Sequence, residues 1–76
     1  MPTIKIIKGV RIEIHPNEHG IPHFHARYQK QDVSIAIKTL KIIDGKIPKA
    51  KLKDVIFWAF ENREELLAIW NKYVER

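Results

Sequence analysis

The chain has 76 residues, which is room for one small domain and not for a second core. Hydrophobic residues make up 45% and charged residues 30%, so disordered, collagenous and low-complexity classes are excluded. The formal net charge is +5, and the absence of Cys excludes disulfides, thiolate metal sites and Cys nucleophiles.

Residues 3–7 and 10–15 alternate and are rich in Ile and Val, which predicts two strands. Lys8-Gly9 lies between them. A three-residue connection with Gly9 left-handed would put Ile4 and Ile6 on the face of Val10, Ile12 and Ile14. A two-residue loop would pair Ile6 with Arg11 and mix the faces, so the bulged hairpin is expected. Residues 16–22, with two prolines and a glycine, predict a loop.

Residues 23–29 alternate again. Phe24, Ala26 and Tyr28 oppose His23, His25, Arg27 and Gln29. Residues 32–38 set Val33, Ile35 and Ile37 against Asp32, Ser34, Ala36 and Lys38. A turn at Lys30-Gln31 would face Tyr28 to Val33, Ala26 to Ile35 and Phe24 to Ile37, with Arg27 opposite Ser34. Residues 40–43 suit a short fifth strand, ended by the turn signal Asp44-Gly45.

After Pro48 the period changes. Leu52, Ile56, Ala59, Arg63, Leu66, Trp70 and Tyr73 follow a heptad spacing that only Arg63 interrupts. Asn62 followed by Glu65 is a capping-box pattern that would split the segment. Because the phase runs straight through, one helix over 49–75 is expected, with a kink near 62. Phe57 and Trp58 fall off the stripe, so burying them would need a partner subunit or the flank of the sheet. The expected fold is therefore α+β. An antiparallel sheet of four to five strands (1–47) carries one long C-terminal helix (48–76) on one face. The other face stays open, and a homodimer is compatible with so small a core.

The longest apolar run, Val55–Phe60, is far short of the roughly 20 residues that a membrane span needs. Residues 1–9 have no long apolar stretch, so they are not read as a signal peptide, and a cytoplasmic protein with no membrane partner is expected. Residues 30–53 hold seven lysines against two aspartates. That block suits a phosphate-bearing or acidic partner as well as a simple solvated surface. Lys49, Lys51 and Lys53 oppose the helix macrodipole at its start. Lys49 and Lys53 share a face and could hold an anion there, or swing away into solvent.

All four histidines fall in the string HPNEHGIPHFH, residues 15–25. His23 and His25 leave one face of a strand, about 6–7 Å apart at the backbone. His15 shares the polar side with Glu13 and Arg11, and His19 lies in the loop. Four readings stay open. Imidazoles at His19, His23 and His25 suit a divalent transition metal, with Glu18 or Glu13 in reserve. Two rings beside a basic group could cleave RNA through its own 2′-hydroxyl, one as base and one as acid. His, Arg and Lys on an open sheet could bind RNA, DNA or a protein partner, with Arg27, Lys38, Lys49 and Lys53 as the basic contacts. Finally, the rings could simply satisfy loop backbone. Other catalytic templates fail: Ser34, the only serine, sits mid-strand, and the three glycines are isolated.

The stretches MPTI, HPNEHGIPHFHARY, IKTL–DG–IP and WAFENREELLAIW together resemble the small prokaryotic proteins of domain-of-unknown-function family 4160. The resemblance spans nearly the whole chain. Its most specific part is Pro-His-Phe-His at 22–25, with His19 upstream; Ile21 stands where the family commonly has a second proline. The resemblance implies that His19, His23 and His25 form the site. It also implies a small partner protein encoded nearby, in a toxin–antitoxin-like module.

Overall fold

The computed structural model describes residues 3–15 and 20–73. Five strands form one antiparallel meander in sequence order: β1 (Thr3–Ile7), β2 (Val10–Glu13), β3 (His23–Tyr28), β4 (Gln31–Ala36) and β5 (Ile42–Gly45). Two helices follow, α1 (Lys49–Glu61) and α2 (Arg63–Tyr73). Period-2 alternation gives the sheet one apolar face. Val10, Ile12, Phe24, Ala26, Val33 and Ile35 are fully buried there against Val55, Ala59, Leu66 and Trp70 of the helices. The α+β class and the five-stranded antiparallel sheet are as expected; the single long helix is not.

The break falls at Asn62, whose backbone leaves the helix at φ −122° and ψ 24°. Its side chain does not cap α2. Instead the Nδ2 group donates back to the Trp58 carbonyl at 2.9 Å, which closes α1. The Asn62 carbonyl then accepts from the Leu66 amide and starts α2. Next to the break, Arg63 Nε donates to the Ile37 carbonyl at 3.2 Å. The cation in the apolar stripe is thus a link between the helix junction and the end of the sheet. The two helices keep a common buried stripe, which is why the heptad phase alone could not show the interruption.

Two hairpin registers differ from expectation. Lys8 and Gly9 form a two-residue turn, both at positive φ (48° and 84°), which matches strand twist. Ile7 therefore pairs with Val10 and Ile6 with Arg11, and Ile6 is left 60% exposed. The bulge lies further along, between Thr3 and Lys5, and Ile4 there packs against the core. In the β3–β4 hairpin the turn is Gln29-Lys30, with Gln29 at φ 55°. Ala26 faces Val33 and Phe24 faces Ile35, two residues off the expected register. A shift of two preserves side-chain parity, so the faces come out as expected while the partners change. Arg27 accordingly faces Asp32, and Ser34 faces His25.

Trp58 is partly buried and packs against the core, whereas Phe57 remains 65% exposed. Gly45, paired with Val33 at the edge of the sheet, sits at φ 80°. A Cβ there would collide with the Asp32 carbonyl oxygen, the same atom that accepts the Lys46 amide. Gly20 also has positive φ but faces open space.

Gly45→Ala should therefore lower stability by about 2–3 kcal/mol, roughly 10 °C or more in Tm. Gly20→Ala, which meets backbone strain alone, should cost about 1 kcal/mol. Thermal melts followed by circular dichroism check the pair. Arg63→Ala should cost about 1–2 kcal/mol in urea unfolding, because it orphans the Ile37 carbonyl.

Candidate functional site

The helices cover the Phe24 and Ala26 face, so the alternating residues of β3 point to the other side. The strand pairings arrange that side in rows. One row runs Arg11, Arg27, Asp32 across β2, β3 and β4, and the next runs Glu13, His25, Ser34, Asp44 across β2 to β5. Neighbouring rows stand about 6–7 Å apart.

Glu13 anchors the second row. It is only 6% exposed, although it lies on the polar face. Its Oε1 accepts from His15 Nε2 at 3.0 Å, and its Oε2 lies 3.9 Å from Arg11 Nη1. A carboxylate withdrawn from water in this way needs such donors. His15, held by Glu13, stacks on His25 with ring centroids 4.1 Å apart and planes 13° from parallel. His25 Nδ1 and Ser34 Oγ share a hydrogen bond of 3.2 Å.

His23 begins β3 and is 8% exposed. Its Nδ1–H donates to the Ile21 carbonyl at 2.8 Å, so one ring nitrogen satisfies loop backbone. Its ring meets His25 edge-on at 5.2 Å and Trp70 of α2 at 5.0 Å. A continuous series of rings thus runs from the helix layer through Trp70, His23 and His25 to His15.

Of the expected histidine site, His23 and His25 are brought together, while His19 lies outside the described residues. His15 joins them in its place within the described set. Imidazole lone pairs lie in the ring plane, so the nearly parallel rings of His15 and His25 cannot both aim at an ion between them. Among the described residues, no three His, Asp or Glu side chains are grouped to hold a metal ion.

The expected basic contacts do not gather. Arg27 is exposed on the uncovered face. Lys38 stands in the turn after β4, beside Ile21 and Pro22. Lys49 and Lys53 lie on the exposed side of α1, across the helix layer from Arg27. Arg11 takes their place beside Arg27, as its direct partner across β2 and β3. Together with Gly9 and Gln29 the two arginines line a shallow polar depression. Like charges directly opposite each other on a sheet repel, and two guanidinium forks side by side suit a phosphate. Sequence reasoning missed the Arg11–Arg27 pair and the His25–Ser34 bond. Gln29-Lys30 as a two-residue turn would have revealed the second. The first depends on the β2–β3 register, which spans the 16–22 loop and leaves no local signal.

No helix among the described residues is long and apolar enough to cross a membrane. Neither the curated proteins nor the solved structures contain a match to this chain. A family model described as "Domain of unknown function (DUF4160)" matches residues 9–71, which takes in every strand but the first and nearly all of both helices. The strand pairs that carry the Arg and His rows fall within the matched region, and by that match the chain belongs to the DUF4160 family.

Proposed function

We propose that the protein binds single-stranded RNA across the uncovered face of its sheet, as one component of a toxin–antitoxin-like module in the cytoplasm. The observation that carries this reading is the pairing of Arg11 with Arg27 on that face, one row from the stacked His15 and His25 rings. Guanidinium groups contact phosphates bidentately, and flat rings next to them suit unstacked bases. An extended strand of nucleotides can follow such rows, whereas a duplex cannot present its bases to a sheet in this way. The lysines of α1 are not part of this surface.

A second reading, RNA cleavage, draws on one specific arrangement. A carboxylate-held imidazole, His15 on Glu13, stands 4.1 Å from a second imidazole, His25, which is itself bonded to Ser34. Paired rings of this kind can divide the roles of base and acid in transfer from a 2′-hydroxyl. In this reading His25 is the central candidate, with His15 and His23 beside it; His19, the third of the expected trio, lies outside the described residues.

Fluorescence anisotropy with a labelled oligouridylate tests the binding reading. Arg11→Ala and Arg27→Ala should each weaken binding by roughly threefold to tenfold, about 1 kcal/mol apiece, and flatten the salt dependence. Lys49→Ala with Lys53→Ala should leave affinity unchanged. Equal loss from both sets would show a diffuse electrostatic surface and defeat the reading. Gel analysis of the same oligonucleotide separates the second reading. If His25→Ala retains binding and abolishes fragments ending in a 2′,3′-cyclic phosphate, cleavage is the activity; if no fragments form with the wild-type protein, binding stands alone.

A further inference from the structure

The helix layer carries a second surface, independent of the sheet face. Residues at every fourth position of α1 read Lys49, Lys53, Phe57 and Glu61, and Glu65 follows at the same spacing in the first turn of α2. All five are exposed, and Phe57 is 65% exposed. Fourth-position residues form one ridge along a helix surface. On α1 this ridge runs from two cations through an aromatic ring to the anion Glu61, and Glu65 adds a second anion just past the Asn62 junction. Reversed end for end, it presents the opposite charge at every charged position.

We infer that α1, together with the first turn of α2, is the interface of a two-fold homodimer, in which the α1 helices of two copies cross antiparallel with Phe57 on the axis. In that arrangement Lys53 meets Glu61 of the second copy, and Lys49 meets Glu65 of the second copy. Each contact occurs twice, as an isologous interface requires.

Three features of the chain support this occupant. The first is a receptacle for the central ring. Lys53, Ile56, Phe57 and Phe60 have the i, i+3, i+4, i+7 spacing of a hole that accepts a knob from a facing helix. These residues line an apolar groove that Leu40, Leu52 and Lys49 complete. Phe60, 62% exposed, forms its far wall.

The second is the placement of the charges. The basic groove meets, at Phe60, an adjoining depression lined by Glu61, Asn62, Arg63, Glu64 and Glu65. Arg63 is engaged inward with the Ile37 carbonyl, which leaves the glutamates as the outward charge.

The third is an electrostatic cost that a lone chain leaves uncompensated. The first turn of α1 has no acidic residue and its last turn no basic one. Lys49 and Lys53 repel each other at i, i+4 near the positive end of the dipole, and Glu61 sits at the negative end. Among the described residues the ion pairs within 4.0 Å all involve Glu13, so none neutralises these groups. An antiparallel copy sets each lysine beside a glutamate and each helix start beside a helix end.

Sedimentation velocity over a wide concentration range tests the inference. The wild-type chain should show a concentration-dependent dimer. Lys53→Glu and Glu61→Lys should each weaken it roughly tenfold or more, because each opposes like charges twice across the axis. Mixing the two variants should restore association as a heterodimer, and the double variant K53E/E61K should again form a homodimer. Both positions are exposed, and circular dichroism verifies that the variants fold. A chain that stays monomeric throughout overturns the proposal, as does a dimer that neither variant weakens. Single variants that dissociate but do not recombine overturn the antiparallel register, and the proposal with it.

Discussion

Strand β3 is the constraint on which the rest of the molecule depends. It is the middle strand of five and contributes to both layers at once. Phe24 and Ala26 enter the core with no exposed surface, while His25 and Arg27 stand on the opposite side. Each buried residue on this strand therefore fixes the orientation of a polar neighbour. A one-residue slip would put imidazole and guanidinium into the core and the aromatic ring into water. The cost of that exchange is what holds the Arg and His rows in place, more than any bond within the rows.

The polar rows still contribute a local order of their own. Glu13 is nearly covered although it carries charge, and every buried side-chain nitrogen or oxygen among the described residues has a partner. His15 and Arg11 both approach the Glu13 carboxylate, so that group ties the end of β2 to the rings of β3. At the other end, His23 is bounded by a loop carbonyl and by Trp70 of α2. The row of imidazoles is thus braced by the loop at 21 and by the helix layer, and the helix layer is braced in turn by Arg63 on the Ile37 carbonyl.

Strand faces were legible because hydropathy alternates with period two through residues 10–14 and 23–28, although Glu13 and His23 on the polar side are themselves buried. Registers were less legible. The choice between two- and three-residue turns at Lys8-Gly9 rests on the φ that one lysine accepts, and Lys8 does adopt 48°. The break at Asn62 was visible as a cap signal, yet the apolar stripe outweighed it; the side chain turned out to end one helix rather than start the next. Of the site, His23 and His25 could be paired from their spacing alone. Arg11 beside Arg27 could not, since their meeting depends on how the 16–22 connection closes, and composition says nothing of that.

The order of the sheet has a kinetic consequence. Each strand pairs with its neighbour in sequence, and no connection crosses over. Two of the hairpins close through two-residue turns, at 8–9 and 29–30. Such contacts form early because little chain entropy is lost in closing them. The β2–β3 pair instead has residues 14–22 between its strands, the longest connection in the meander. That pairing alone sets Arg11 against Arg27 and Glu13 against His25. Among the strand pairings, the one with the longest loop to close is therefore the one that assembles the polar rows, and the chain lacks them until the hairpins on either side have met.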